Sequence, residues 1–552
     1  MKLKNILYSM MMGTAVLTGT TSCVSDLDQY PHKETTSKDV YTSLANYEAV
    51  LGKIYAAMVT SGQGKGGDNK DMESVLNNGS GFDYMRMFIN MQECGTDEFA
   101  STWLTGEQTT GLTYLSWDAN DAWVSDMYYR IYYNIALCNE FLRNANSASF
   151  SGADAEKMKE YKAEVRFMRA LFYFHALDLY RNIPMVTEND PVGSFIPPRY
   201  TPQQTFDYIE SELKECVGDM LPASTCPYGQ ASQGAAYTLL AKLYLNSEVY
   251  TGVAKYAECK EACKKVMDMG YSLESDYSKL FNADNDKRTN EIIFALPVSA
   301  EHTVSWGSST YLVCGQLSMS NANQTVADFG ATSGWSEFRL RPEFVDKFTQ
   351  TDIDGGGDKR CKFFTNGQSK DVTSMTDETT GYLSEKWSNL KDDGTTASNT
   401  ADAGVETDYP LFRLADVYLM YAECVARLGE DWDNWDGGSD AEAATRKEGA
   451  IYYINKVRER AYGDAEHNVW KDNFASDADF LQFILDERAR ELYHEGYRRT
   501  DLIRFGEFTT NKYIWQWKGG THDGQAVDSK YNIYPIPNTE LTANPNLHND
   551  NY

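Results

Sequence analysis

Glu491 and Glu495, near the carboxyl end of the chain, have the residue type that paired-carboxylate hydrolysis of a glycosidic bond requires. A spacing of four residues places both side chains on one face of a helix. The same segment is rich in arginine, and its charges alternate in sign at spacings at which helix neighbours pair: Glu487, Arg490, Glu491, Arg498, Asp501 and Arg504. We therefore expect both glutamates to be structural, and the sequence predicts no catalytic residues here.

Two acidic segments have partial features of calcium sites. Residues 352–358 begin like a calcium-binding loop, but Phe363 stands where the bidentate glutamate belongs. Asp284 and Asp286 remain weak candidates for a calcium site, with solvated turn residues as the alternative. The chain has no HExxH, GxSxG or Walker motif. These patterns predict a protein that is not an enzyme and needs no cofactor, with structural calcium as an open alternative.

The amino terminus contains a reactive residue in a recognisable context. A basic start is followed by an apolar run over residues 6–17, then by small residues 18–22, and then by Cys23. The apolar run is shorter than the roughly 20 residues that a permanent membrane span requires. This order predicts a lipoprotein signal peptide over residues 1–22, cleaved before a lipidated Cys23. The alternative is an ordinary cleaved signal with Cys23 as an incidental neighbour.

Composition restricts the class of ligand. The 552 residues carry a formal net charge of −29, which argues against nucleic acid and polyanionic ligands and favours a neutral one. Aromatic residues make up 13% of the chain and are suited to contact the apolar faces of sugar rings. The cysteines contain no CxxC pair, so no zinc ribbon or dense disulfide framework is predicted.

Helices must form the scaffold that positions these residues. Segment 161–180 has apolar residues on two sides, which is typical of a helix buried between others. Amphipathic segments also recur in pairs at uneven spacing, which resembles an interrupted tetratricopeptide array. The sequence thus predicts a mostly α fold. Further predicted helices cover residues 118–143, 235–246, 255–269, 414–428 and 448–460.

The remaining chain predicts long loops. Residues 275–409 are rich in Gly, Ser, Thr, Asn and Asp, and residues 63–80 are polar and glycine-rich. Long loops on a rigid scaffold usually carry function. We therefore expect one domain over residues 23–552. Its scaffold covers about 36–275 and 410–510, and its binding region covers about 275–409 plus 63–117.

Several segments together resemble the SusD/RagB family of Bacteroidetes outer-membrane lipoproteins. The most specific is DERARELYHEGYRRTDLIRFG over residues 486–506. Residues 309–315 and 508–520 additionally resemble the starch-binding member of that family. The other matching segments are residues 23–28, 163–171, 410–423, 534–537, 544–546 and 551–552.

The resemblance implies a non-catalytic, lipid-anchored glycan-binding protein at the cell surface. It would act as the lid of a SusC-like TonB-dependent transporter in the outer membrane, beside surface glycosidases and other glycan-binding lipoproteins. A neutral α-glucan, dextran-like or starch-like, is the expected ligand. One alternative is another neutral glycan, such as a fructan. The other is a mainly structural lid with little glycan affinity of its own.

The resemblance also implies ligand-binding residues, position by position. Trp306 stands where the starch-binding pattern has a tyrosine, Trp335 matches a tryptophan, and Arg86 matches a hydrogen-bonding arginine. Ser101 replaces a tryptophan, and Trp103 lies two positions away. Gly106 replaces an asparagine, and these changes put starch itself in doubt. The expected ligand-binding residues are Trp306, Trp335, Arg86, Trp103 and Tyr311.

The predicted anchor has a direct test. We expect Cys23→Ala to give an exported protein without lipid that no longer partitions with membranes, because the thiol is the site of acylation. Membrane fractionation combined with labelling by a radioactive or clickable fatty acid measures both properties. A variant that stays wholly in the membrane fraction with undiminished label would contradict the lipoprotein prediction.

Overall fold

The architecture was obtained as a computed structural model. It describes residues 37–64, 70–73, 75–76, 82–193, 195–399, 404–432, 449–550 and 552. The predicted signal peptide over residues 1–22 and the lipidation site at Cys23 lie outside the described residues. Before Val50 the described part consists of a short helix and the start of the next one. The rest of the description concerns Val50–Tyr552.

Helices dominate the described residues, which confirms the predicted mostly α class. The helix predicted over residues 118–143 covers Ala122–Ser147, and the one predicted over 161–180 begins eight residues earlier, at Ala153. In chain order the helices are α1 Ser37–Val40, α2 Leu44–Ala56, α3 Tyr84–Glu93, α4 Thr110–Tyr114, α5 Ala122–Ser147, α6 Ala153–Tyr180, α7 Pro202–Cys216, α8 Gln233–Leu245, α9 Ser247–Thr251, α10 Tyr256–Met267, α11 Ser308–Gly315, α12 Pro342–Val345, α13 Gln350–Ile353, α14 Leu414–Arg427, α15 Ala450–Tyr462, α16 Asp477–Leu492, α17 Arg498–Arg504 and α18 Asn538–Ala543.

The strands are few and short, and they pair as three antiparallel ladders in the part of the chain that the structure describes. β1 pairs with β3, and Ala100 lies opposite Arg339. β2 pairs with β6, and β4 pairs with β5. The strands are β1 Ala100–Ser101, β2 Ile292–Leu296, β3 Phe338–Arg339, β4 Phe363–Phe364, β5 Leu383–Ser384 and β6 Tyr409–Arg413.

Packed helix pairs form the scaffold. α6 packs against α5 and α7, and α10 packs between α8 and α14. α14 also contacts α15 and α16. Ala170, in the middle of α6, is fully buried, as expected for a helix that is apolar on two sides. No helix among the described residues is long and apolar enough to cross a membrane.

α3 and α11 are buried helices in regions predicted to be rich in loops. α3 lies in the expected loop-rich region of residues 63–117, and all ten of its residues are buried. It contacts α5, α11 and α17. Its polar residues Arg86, Asn90 and Glu93 recur at helical spacing, and this signal could have identified the helix.

Glu491, on α16, and Glu495, in the turn that follows, belong to a buried network of ion pairs. The prediction that both glutamates lie on one helix is wrong, because α16 ends at Leu492. Glu491 accepts hydrogen bonds from Arg413 at 2.5 Å and Arg360 at 3.2 Å, and it also pairs with Arg460. Glu495 accepts from Lys386 Nζ at 2.6 Å and from Arg413 Nε at 2.7 Å. Buried charges without such partners would cost several kcal/mol each. The expectation that Glu491 and Glu495 are structural agrees with these contacts.

The packing of α6 predicts a position that does not tolerate charge. We expect Ala170→Arg to destabilise the protein by several kcal/mol, because the guanidinium has no room and no partner there. Thermal melts of the purified variant measure the effect. Ala153→Arg, at an exposed position on the same helix, is the control and should melt within a few degrees of the parent. A melt of Ala170→Arg that matches this control would show that α6 is not packed as described.

The network on α16 predicts a pH dependence. Burial alone would raise the pKa of Glu491, but Arg460, Arg413 and Arg360 lower it to about 2. A carboxylate whose pKa is depressed in the folded state contributes stability above its unfolded pKa, and this contribution falls as the pH falls towards the folded pKa. We expect Glu491→Gln to destabilise the protein less at pH 3 than at pH 7, by about 1 to 2 kcal/mol.

Urea unfolding of the parent and the variant at both pH values measures this difference. Other carboxylates titrate in the same range, but their contributions cancel when the variant is compared with the parent at each pH. A destabilisation that is equal at pH 3 and pH 7 would contradict the assignment of a depressed pKa to Glu491.

Candidate functional site

Three of the predicted ligand-binding residues form one surface, which we call the tryptophan cluster: Trp103, Trp306 and Trp335. Trp306 is 43% exposed and Trp103 is 38% exposed, whereas Trp335 is half-buried. The indole Nε1 of Trp103 donates to the backbone carbonyl of Trp335 at 2.9 Å. Segments more than 200 residues apart in sequence are therefore joined directly at the surface.

A buried arginine holds the tryptophan cluster from below. The Nη1 of Arg86 donates to the carbonyl of Trp306 at 2.8 Å. The Nη2 of Arg86 pairs with Glu107 and lies 3.6 Å from a carboxylate oxygen of Glu337. The guanidinium carbon also lies 5.9 Å from the ring centroid of Trp335. Arg86 thus contacts the segments that carry all three tryptophans.

Burial changes the expected role of two residues. Arg86 is 2% exposed, and Tyr311 is 0% exposed. Tyr311 lies with its ring centroid 4.2 Å from the Arg86 guanidinium and donates its hydroxyl to Asn90 at 2.7 Å. The prediction that they contact a ligand does not agree with this burial. Their side chains already bind the protein, so they support the tryptophan cluster rather than forming its surface.

Arg86 has carboxylate neighbours beneath the cluster. Its guanidinium pairs with Glu107 and lies 3.6 Å from a carboxylate oxygen of Glu337. Burial raises the pKa of Glu337 to about 8, although the neighbouring Arg86 opposes this shift. The Arg86 guanidinium is thus already paired within the protein and is not available to an anionic ligand.

Strained backbone concentrates around the tryptophan cluster. Ser308, two residues after Trp306, has φ +49°, and Ser336, directly after Trp335, has φ +48°. Gln108, close to Trp103, has φ +58°. Such values are uncommon outside glycine and cluster at functional sites when surrounding contacts enforce them. This observation is independent of the resemblance and indicates the same surface.

The sequence did not reveal one further member of this surface. Met319 is 63% exposed, and its backbone N–H donates to the hydroxyl of Ser336 at 2.7 Å. The carboxylate of Glu378 accepts from Ser318, Ser320 and Ser336, and this fixes the loop beside Trp335. Met319, Glu378 and these serines stand singly in irregular loops. They therefore follow no periodic pattern by which the sequence could identify them.

The calcium prediction gains no support from the geometry. One carboxylate oxygen of Asp284 pairs with Lys287 at 2.8 Å, and the other accepts from the backbone of Asp392 at 2.9 Å. Asp286 is exposed. Within the described ranges no group of three or more His, Cys, Asp or Glu side chains is arranged to hold a metal ion. Calcium at Asp284 and Asp286 stays an untested prediction.

Comparison with known proteins places the chain among relatives of one kind. Residues 362–552 match the family described as "SusD family", and residues 27–245 match "Starch-binding associating with outer membrane". The starch-binding protein SusD of Bacteroides thetaiotaomicron is 33% identical over 99% of both chains. The SusD-like protein P25 of Formosa agariphila is 26% identical over 78% of each.

Solved structures show the same fold. A SusD superfamily protein from Parabacteroides distasonis superposes with a TM-score of 0.68 at 22% identity, covering 93% of this chain and 100% of that one. A SusD-like carbohydrate binding protein from Bacteroides fragilis gives a TM-score of 0.69 at 18% identity, covering 92% and 100%. From the relative that is 33% identical along the whole chain, we conclude that this protein belongs to the SusD family, whose members are not enzymes.

Proposed function

We propose that this protein binds a neutral α-glucan, dextran-like or starch-like, on the tryptophan cluster. The observation that carries the proposal is the convergence of Trp103, Trp306 and Trp335 from three distant segments onto one surface. Trp306 and Trp103 are well exposed, so their ring faces are open to a ligand. The relative described as starch-binding supports the class of ligand.

The chemistry of the surface suits sugar rings. The apolar faces of pyranose rings stack on indoles, and a well-placed stack is worth on the order of 1–3 kcal/mol by analogy with base stacking. A few such contacts give micromolar or weaker affinity. The guanidinium of Arg86 beneath the rings already pairs with Glu107, so it is not available to an anionic ligand.

The differences from the starch-binding pattern bear on the shape of the glucan. Ser101, which replaces a tryptophan of the pattern, is fully buried in β1 and offers no ligand contact, whereas the nearby Trp103 is exposed. Gly106 lies beside the ring of Trp103, because a Cβ atom added there would be in ordinary van der Waals contact with it, at 3.4 Å. The changes at Ser101, Trp103 and Gly106 therefore concern one part of the surface. An altered arc of rings favours a dextran-like glucan slightly over starch.

The proposal includes a location and a partner. The protein would be anchored in the outer membrane through a lipid on Cys23 and exposed at the cell surface. There it would deliver the glucan to a SusC-like TonB-dependent transporter and close over it as a lid. Surface glycosidases and other glycan-binding lipoproteins would act beside it. The match of residues 27–245 to a family described as associating with the outer membrane supports this location.

The tryptophan cluster predicts which residues determine affinity. We expect Trp306→Ala and Trp335→Ala each to weaken α-glucan binding by about ten-fold, equivalent to about 1.4 kcal/mol. Trp103→Ala should also weaken binding, with an added effect from the lost hydrogen bond to the Trp335 carbonyl. Calorimetric titration of the soluble domain with α-1,4- and α-1,6-linked oligosaccharides measures these affinities. Thermal melts of the same variants should change little for the exposed Trp306.

Trp470 provides the matched control, because it is 44% exposed but lies in a different part of the chain. Trp470→Ala should leave both affinities unchanged. Unchanged binding in the Trp306→Ala, Trp335→Ala double variant would contradict the proposed site. A parent protein that binds a fructan instead of either α-glucan would contradict the ligand, and one that binds no glycan would favour a structural lid.

A further inference from the structure

One buried carboxylate contacts both the helix that carries Arg86 and the turn that carries Trp306. Asp83 is the residue before α3, and its Oδ1 accepts from the backbone N–H of Arg86 at 2.8 Å. The same oxygen accepts from the backbone N–H of Ser308 at 3.1 Å, and Oδ2 accepts from the hydroxyl of Ser305 at 2.6 Å. Asp83 therefore caps a helix and also fixes the turn around Trp306.

The fit between this carboxylate and the turn is close. A Cβ atom at Gly307 would lie 2.2 Å from Oδ1 of Asp83. Glycine therefore allows the turn to lie this close to the carboxylate. The next residue, Ser308, takes a left-handed conformation that a serine rarely adopts. The hydrogen bond from its N–H to Asp83 offsets part of that strain.

The backbone around Trp306 is thus held on both sides. Asp83 holds Ser305 and Ser308, which flank the tryptophan, and Arg86 holds the Trp306 carbonyl itself. Asp83 and Arg86 lie three residues apart at the start of one helix, so both act from a single rigid element. The Trp306 side chain is well exposed and gains little orientation from packing, so its direction depends on this backbone.

We infer that Asp83 is a positioning residue for Trp306, setting the orientation in which that ring meets a sugar. The inference rests on the proposed function, because it assigns to Asp83 the geometry of the α-glucan site. Displacement of a binding group by about 1 Å is enough to weaken a contact considerably. Asp83 is fully buried and does not itself touch the ligand.

Two substitutions separate this role from helix capping. Asp83→Ser retains a side-chain oxygen that caps α3, but it is too short to reach Ser305 and Ser308 together. Asp83→Asn also caps the helix and is long enough to contact both serines. Its amide NH2 can donate to the Ser305 hydroxyl, and its carbonyl can accept from the Ser308 N–H. Both variants remove the negative charge near Arg130, so that loss is common to them.

The first measurement is affinity for α-1,4- and α-1,6-linked oligosaccharides. We expect Asp83→Ser to weaken binding by about five- to ten-fold, because it loses the hydrogen bonds to Ser305 and Ser308. Asp83→Asn should weaken binding by less than about two-fold. Combined with Trp306→Ala, the Asp83→Ser substitution should have almost no further effect, because the ring it orients is gone. An equal loss with and without Trp306 would overturn the inference.

The second measurement needs no ligand. In protein labelled with 5-fluorotryptophan, the Trp306 resonance is identified by its absence in Trp306→Phe, and ¹⁹F NMR then reports its surroundings. We expect this resonance to shift or broaden in Asp83→Ser and to stay near its parental position in Asp83→Asn, while the Trp470 resonance is unchanged in both. An unperturbed Trp306 resonance in Asp83→Ser would overturn the inference.

The two measurements distinguish the inference from the proposed function. If the parent binds no α-glucan but the Trp306 resonance responds to Asp83→Ser, the orienting contact stands and the proposed ligand is wrong. If the parent binds α-glucan but neither the resonance nor the affinity responds to Asp83→Ser, the proposed function stands and the role of Asp83 is wrong.

Discussion

The buried ion pairs that join the loop-rich region to the helical scaffold are the constraint on which the rest of the structure depends. Arg360 and Lys386 come from the loops, and they meet the glutamates of α16 and the following turn inside the protein. Arg413, at the end of β6, binds Glu491 and Glu495 at once. Apolar packing acts beside these ion pairs, because Phe344 and Val345 of the loop-rich region belong to one buried cluster with Ala489 of α16.

Pairs of this kind specify position more than they add stability. The cost of removing charges from water is repaid only when every partner is in place, so loss of one partner is expensive. A related arrangement lies at the tryptophan cluster, where the buried Arg86 pairs with the partly exposed Glu107 and lies 3.6 Å from the buried Glu337. Aromatic side chains on irregular loops are held in this way at fixed places, which a rigid binding surface requires.

The sequence predicts the scaffold well and the binding region less well, for physical reasons. α5, α6 and α14 have apolar stripes that report directly which faces are buried. α3 has polar residues at helical spacing, Arg86, Asn90 and Glu93, but these are buried too, so its pattern does not show which faces meet solvent. Contacts between distant segments, such as Trp103 with Trp335, leave no periodic trace at all.

The candidate site was found through the resemblance rather than through residue patterns. That route named Trp103, Trp306 and Trp335, which the fold links through hydrogen bonds and Arg86, and it also named Arg86 and Tyr311, whose side chains are buried. Residue type alone does not distinguish an arginine that binds a ligand from one that holds the backbone beneath it. Burial and hydrogen-bond partners make that distinction, and only the folded chain supplies them.

The central claim is that the tryptophan cluster is a glucan-binding surface, and a crystal structure of the protein with a bound α-glucan oligosaccharide tests it most directly. The account predicts sugar rings stacked on Trp306 and Trp335, with Trp103 at the edge of the same surface and Arg86 still bound to the Trp306 carbonyl. An oligosaccharide bound elsewhere on the protein, with all three indoles free of contact, would contradict it.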